Sequence, residues 1–562
     1  MTFQLSAGVN YSEIDLTGIV PAVGTTTGAL VGSFAWGPID EVRTITNEIE
    51  LVDLYGKPDA NTFVDFFTGA NFLGYGRDLR VVRANATATM LNATSNTTGR
   101  LIKNRTDYEE NHKGSTFAEW AAKYAGELGS SLKVSVYSGS NTANFSSWEY
   151  SSIFNGAPGT STYAANQNGV NDEMHIVVVD EDGKFSGTAN TVLERFAFVS
   201  KASDAKRDDG SSNYYVNVIN DSSKYIWWLS HPTNNTENWG ATAANTTFGD
   251  QLNVASSLSL SGGSYNTSTT AEISAGYDKF KNAEDVDISL IMTSGHGTTV
   301  VSYVADNIAE YRKDAVFFAS PSRANVVNQP DNTNTANNIV GERNAITSTS
   351  YGVMDSGWKY QFDKYNNVYR WVPLNGDIAG LCVRTDYDRD PWFSPAGLNR
   401  GVIKNAIKLA WNPNKTNRDI LYKNGINPVI SLPGQGTVLF GDKTLLSKPS
   451  AFDRINVRRL FIVLERAIAK ASQYSLFEFN DAFTRAQFVS LVEPYLRDVQ
   501  GRRGIFDFRV VCNETNNTPE VIDRNEFIGD IYIKPARSIN FIQLNFVATR
   551  TGVSFDEIVG RT

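Results

Sequence analysis

The chain reads as a multidomain protein of mixed class, α/β in its middle and α+β toward its end. Three observations predict this. Strand-like and helix-like segments alternate from about residue 30 to about residue 319. Beyond about residue 345 helical patterns dominate, and strand patterns return only near the C-terminus. Finally, 562 residues exceed one core: at roughly 100–200 residues per domain, about three or four domains are expected.

The first segment, GVNYSEIDLTGIVP, alternates Ile14 and Leu16 with Glu13 and Asp15 until Pro21 stops it. It is too short and too little apolar to stand alone, so it needs a pairing partner. TNEIELVDLYG has helix punctuation: Thr46 or Asn47 at its start, Glu50 in the first turn and Gly56 just past its end. NTFVDFFTGANFLGYG reads as a second helix and DLRVVRA as a strand. STFAEWAAKYAG has the spacing of a capping box, Thr116 to Glu119, which signals a helix start. LKVSVYS, MHIVVVDEDG, KYIWWLS, DVDISLIMTSG and DAVFFAS read as strands, and TTVVSYVADNIAEYRKD as the helix between the last two. Units of this size imply an α/β layer with a partly parallel sheet. Asn85–Asn104, Asn155–Asp172 and Asn325–Asn338 are rich in Asn, Thr, Ser and Gly without a period, and read as loops. The third is the expected domain boundary. In INVRRLFIVLERAIAKASQ, Val457, Leu460, Phe461, Leu464, Ile468 and Ala471 form one stripe at helical spacing. DAFTRAQFVSLVEPYLRDVQG is a further amphipathic helix, and IFDFRVVCNE and EVIDRNEFIGDIYIKP begin a strand-rich finish. In the last segment Ile542, Leu544, Phe546 and Ala548 alternate with polar residues, a strand with one apolar face.

Composition narrows the function. A net charge of −9 argues against a basic nucleic-acid surface. No run approaches the ~20 apolar residues of a membrane span, and MTFQLSAGVN lacks a signal-peptide pattern, so no membrane insertion is expected. Cys382 and Cys512 lie in apolar runs and read as free buried thiols suited to a reducing compartment.

The search for chemistry returns little. GTVLFGDKT misses the phosphate-loop pattern because Asp442 separates glycine from lysine and would repel phosphate. SGHGTT (294–299) follows a strand and precedes a helix, where α/β proteins bind phosphate, but lacks the third glycine. The plainer reading is a connection with Thr298 or Thr299 as the cap. Asp182-Gly183 signals a hairpin better than a cation loop. His112, His175, His231 and His296 show no metal-ligand spacing. Arg458, Arg459, Glu465, Arg466 and Lys470 lie off the apolar stripe, as a solvated face or as a docking surface for an acidic partner. No catalytic, cofactor or metal residue is expected. A large α/β chain with pairing-competent strands at both ends has the profile of an assembly subunit.

The phrases FAWGPIDEVRTITNEIELVDLYGKP, NFLGYGRDLRVVRA, YQFDKYNNVYRWVPLNGDIAGLC, SPAGLNRG, FDRINVRRLF, FEFNDAFTR and PARSINFIQLNFVAT occur in order. Together they resemble the contractile tail sheath proteins of large phages, in particular those of the T-even coliphages. The resemblance implies a virion-tail subunit, assembled in the host cytoplasm, that stacks as hexameric rings around a tail tube. It implies self-association, contacts with tube, baseplate and tail terminator proteins, and no cofactor. It also implies an inner domain made from an N-terminal arm (1–22) and a C-terminal region (345–562), with a middle α/β domain at 23–344. Arms of neighbouring subunits would exchange strands, here carried by Val9, Tyr11, Ile14 and Leu16 and by Ile542, Leu544, Phe546 and Ala548. Arg458, Arg459, Arg466 and Lys470 become the candidate tube-facing residues. T-even sheath proteins carry an outer β-barrel after the RVVRA strand; with only 85–104 before LIKNRTDYEE, that barrel is expected to be missing or reduced to a loop. Ser6-Ala7-Gly8 stands where the family often reads Ser-Pro-Gly. Alternatives are a sheath of a non-phage injection system, or an α/β hydrolase or nucleotide-binding enzyme using Ser294–Thr299.

Overall fold

A computed structural model describes residues 24–84, 90–140, 142–232, 236–250, 255–540 and 542–544. Its centre is a seven-stranded sheet. Across it lie Ile426–Asn427, Gly352–Asp355, Val316–Ala319, Leu290–Met292, Gly28–Gly32, Leu79–Arg83 and Arg43–Ile45. All neighbours are parallel except the last pair. The interior strand GALVG is buried throughout because helices cover both faces, which is why it reads as a continuous apolar run. The pleat assigns its residues. Gly28, Leu30 and Gly32 face helix Phe63–Leu73, and Val31 faces helix Thr270–Tyr277. The two glycines set the distance to the first helix: a Cβ at Gly28 would lie 2.6 Å from the Phe72 ring, and one at Gly32 2.5 Å from Asp65.

Helix Glu48–Tyr55 starts as expected, with the Asn47 side chain accepting from the Glu50 N–H, and Gly56 closes it. The sheet, however, does not stop at the expected 344/345 boundary. Gly352–Asp355 pairs with Val316–Ala319, and Ile426–Asn427 extends the sheet further. Part of the expected linker 325–338 is helical: helix Asn332–Asn344 is capped by Asp331 and anchored by buried Thr335, Ala336 and Ile339. Its many asparagines masked this three- to four-residue spacing.

The stretch after RVVRA is also not a lone loop. Residues 90–265 form a β-rich insert whose entry and exit are zipped together. Leu91 exchanges backbone hydrogen bonds with Ser264 (3.1 and 3.0 Å), and Thr94 with Ser261 (2.9 and 2.8 Å). The insert holds a four-stranded antiparallel sheet in the order Thr191–Ser200, Glu173–Asp180, Leu132–Tyr137, Ser256–Ser259. LKVSVYS and MHIVVVD, expected in the parallel layer, thus pair antiparallel in a separate sheet. Asp182-Gly183 lies in the longer connection 181–190 between two antiparallel strands, not in a two-residue hairpin turn. STFAEW forms no helix; Trp120–Ala122 pairs with Ile226–Trp228. Burial of Trp120, Ala122 and Trp228 in the insert's aromatic core outweighs the local capping signal.

The C-terminal unit has its own core. Helices Ile455–Ser472 and Ala482–Gly501 pack with hairpin Ile505–Val511/Asp530–Pro535 around Leu460, Leu464, Ile468, Phe488, Val492, Leu496 and Val499.

Candidate assembly surface

The hairpin is the natural starting point. Its two strands pair antiparallel, Phe508 opposite Ile533 and Val510 opposite Ile531, and these four side chains pack onto the helices. Among the described residues neither outer edge has a strand partner. A two-stranded sheet is marginal by itself, and its edges are rows of unpaired N–H and C=O groups. Phe506 and Tyr532 of the same hairpin stand exposed.

Beside it lies an apolar loop. Helix Ile455–Ser472 ends before it, and Asp481, accepting from the Thr484 N–H, caps the next helix. Between and just beyond these ends, Tyr474, Leu476, Phe477, Phe479 and Phe483 are all exposed. Phe477 has φ 67°, a left-handed conformation unfavourable for a bulky side chain, and its ring points fully into solvent. Loop, long helix and hairpin enclose a groove of about 1110 Å³ lined by Leu464, Ile468, Phe488, Ile531 and Ile533. Clustered apolar surface of this kind marks an interaction site. Aromatic density between two capped helices (YSLFEF) was the sequence signal for it, and composition alone passed it by.

The C-terminal segment leaves beside this unit. Ser538 Oγ donates to Asp442 Oδ2 (2.7 Å) and Asn540 Nδ2 to Asp442 Oδ1 (3.1 Å). Asp442, expected only to spoil a phosphate loop, is thus a buried anchor. Ile542 and Leu544 are exposed and lie in no ladder among the described residues. Phe546 and Ala548, and Val9, Tyr11, Ile14 and Leu16, lie outside the described residues.

The candidate tube-facing set divides. Helix Ile455–Ser472 is buried on more than its apolar stripe, and Arg458 and Arg459 are buried with it. The Arg458 guanidinium lies 4.5 Å from both the Tyr351 and Phe452 ring centroids. Arg459 binds Asp386 through both nitrogens, at 2.8 and 2.6 Å. Burial works against its charge, but Asp386 more than offsets this and holds the guanidinium above its ordinary value. Arg466 pairs with Asp287 and donates to Gly24 O (3.3 Å). Arg458 and Arg459 thus point into their own subunit, Arg466 is half-buried beside the exposed Asp287, and Lys470 is exposed. Helical spacing could not reveal this, because the second side of the helix is covered by segments distant in sequence.

The enzyme alternative finds no room. Ser294 has φ 52° at a strand–helix turn, yet it is buried, with its hydroxyl donating to Asp65 and 3.2 Å from Thr68 Oγ1. The Asp65 carboxylate, which also accepts from the Ser33 N–H (2.7 Å), puts a negative charge beside this turn. Gly297, not Thr298 or Thr299, is the helix cap. Among the described residues no group of three or more His, Cys, Asp or Glu could hold a metal. No described helix is long and apolar enough to cross a membrane.

Family models match three stretches. Residues 25–84 match the tail sheath protein Gp18 domain III N-terminal region, 266–445 the phage tail sheath protein central domain, and 447–549 the phage tail sheath C-terminal domain. The insert falls between the first two matches. The chain is 35% identical to the tail sheath protein of Enterobacteria phage T4, over 99% of both chains. It is 33% identical to that of Vibrio phage KVP40, over 99% of this chain and 100% of the relative. In fold it resembles the helical sheath of the anti-feeding prophage in its contracted state (TM-score 0.52, 12% identity, 98% and 100% of the two chains). A sheath tail protein from Listeria innocua aligns similarly (TM-score 0.52, 12% identity, 92% and 96% covered).

Proposed function

Because the chain belongs to the phage tail sheath family and is a contractile tail sheath subunit, structural and not enzymatic, we propose that it works as a lattice joined by shared strands. Copies stack as hexameric rings around a tail tube, meet baseplate and terminator proteins at the ends, and form part of the virion tail after assembly in the host cytoplasm. The observation that carries this reading is the open-edged hairpin Ile505–Val511/Asp530–Pro535. Strand segments around Val9–Leu16 and Ile542–Ala548 of neighbouring copies complete it by main-chain pairing. Each such hydrogen bond contributes about 0.5–1.5 kcal/mol, so a few per joint, repeated through the lattice, hold subunits together while they reorient. The inner unit then comprises the arms with residues 447–549, and residues 24–84 with 266–445 form the middle domain, carrying the 90–265 insert. The extended lattice is a kinetic trap above a more stable contracted packing, which needs no fuel or cofactor. High identity to phage sheath proteins over nearly the full length supports a phage tail over a non-phage injection sheath.

The test is deletion of Met1–Leu16 in the full chain. The expected product is a folded soluble subunit by circular dichroism that forms no tubes in electron micrographs. Normal tubes would refute strand sharing. Leu544→Pro, which removes one ladder donor, should weaken tubes in the same direction.

A further inference from the structure

We propose that Arg459 and Asp386 are positioning residues for assembly: together with Arg466 they fix Gly24 and Thr25, the root from which the N-terminal arm of the lattice reading starts. The inference rests on the lattice reading above. A buried, bidentate ion pair is a poor device for stability alone, because desolvation consumes much of the attraction and an apolar pair of similar volume holds a fold equally well. What it supplies is direction, which apolar contact does not.

Here that direction is applied to two residues. Thr25 Oγ1 donates to Asp386 Oδ2 (2.6 Å), while Arg459 Nη2 approaches Thr25 O at 3.4 Å. Two turns along the same helix, about 10 Å, Arg466 donates to Gly24 O and to Ser289 Oγ (3.1 Å). Ser289 Oγ in turn donates to Gly24 O (3.1 Å). Immediately after this root the chain enters strand Gly28–Gly32, buried at every residue, so the clamp registers Gly24 and Thr25 against the seven-stranded sheet.

The same helix meets the other departing segment. Asn456 Nδ2 lies 3.4 Å from Ala536 O, and Ile455 N–H donates to the backbone carbonyl of Asp442 (2.9 Å), whose carboxylate holds Ser538 and Asn540. Asn456 and Arg466 are ten residues apart, about 15 Å along the axis. Helix Ile455–Ser472 is thus a strut that holds both roots at a set spacing.

The experiment uses the full chain with the apolar replacement pair Asp386→Leu/Arg459→Met. Gly24→Cys and Lys470→Cys carry spin labels; Gly24 is exposed with nothing within 4 Å of an added Cβ, and Lys470 is exposed on the strut. Native Cys382 and Cys512 are buried, and burial pushes the Cys382 thiol up to about 12, so neither competes for label. In the native background the label-to-label distance should be narrow. In the replacement pair it should broaden or shift, the melting temperature should hold, and tube yield should fall at least tenfold. An unchanged distance with native tubes overturns the proposal. A lower melting temperature with native tubes overturns it too, by reducing the pair to a structural one. If the pair does not fold, Thr25→Val removes the hydroxyl bond alone and should broaden the same distance; no change overturns the proposal. Tubes absent from the native protein, with a narrow distance that broadens in the variant, would instead indict the lattice reading and leave the clamp standing.

Discussion

Replacing Phe477 and Phe479 by serine should separate folding from assembly. Both rings are exposed in the single subunit, at 105% and 83%, so neither contributes to its core. Their removal should therefore leave the melting temperature within a few degrees of the native protein. The lattice reading has these rings covered on assembly. Burying a phenylalanine is worth about 1.5–3 kcal/mol, so losing two costs about 3–6 kcal/mol per joint. At about 1.4 kcal/mol per tenfold, the critical concentration for tube formation should rise by roughly 10²–10⁴. Light scattering and sedimentation across a concentration series measure that threshold, and a circular dichroism melt checks the fold. Sulfate, which strengthens apolar burial, should partly restore assembly. A threshold within threefold of the native value, at unchanged melting temperature, would show that the loop is not covered on assembly and refute the reasoning.

Three further predictions concern the residues around the seven-stranded sheet. Burial pushes the Asp355 carboxyl up to about 8, although Ser320 Oγ and the Gly357 N–H donate to it. Since its unfolded value is near 4, the folded state holds the extra proton between about pH 4 and 8. Its contribution to stability is therefore full below about 4 and is lost as pH rises to about 8, by at most ~1.4 kcal/mol per unit. Asp355→Asn should flatten that dependence in denaturant titrations and be the more stable protein at pH 9. Gly376→Ala would place a methyl 2.4 Å from the Thr68 carbonyl oxygen, where helix Asn375–Asp388 crosses helix Phe63–Leu73, and should destabilise by about 1–3 kcal/mol. Gly341→Ala, in helix Asn332–Asn344 with open space around it, should instead stabilise by about 0.5–1 kcal/mol in the same melts.

Local chemistry was legible wherever neighbours in sequence settle it. The Asn47 cap and Gly56 stop, the helix at Ile455–Ser472, and the strands at Leu79–Arg83 and Val316–Ala319 all depend on side chains a few residues apart. Failures came where the deciding partner is remote. Thr116 and Glu119 have capping-box spacing, yet Trp120–Ala122 is drawn into a ladder with residues more than a hundred positions later. Leu132–Tyr137 and Glu173–Asp180 are as apolar as the central parallel strands, and apolar runs do not state which strand lies alongside or in which direction. The assembly surface divides in the same way. Family phrases and terminal alternation pointed to shared strands, but neither the exposed aromatic loop nor the anchoring role of Asp442 followed from them.

By itself the amino-acid order determined the period of each segment, the caps that start and stop it, and the kinship carried by its long ordered phrases. Tertiary structure alone decided that residues 90–265 stand apart as an insert, and that Arg458 and Arg459 turn inward. The reason is one of range. Periodicity and capping are energies of adjacent residues, whereas the burial of a charge depends on which distant carboxylate or ring the folded chain brings beside it.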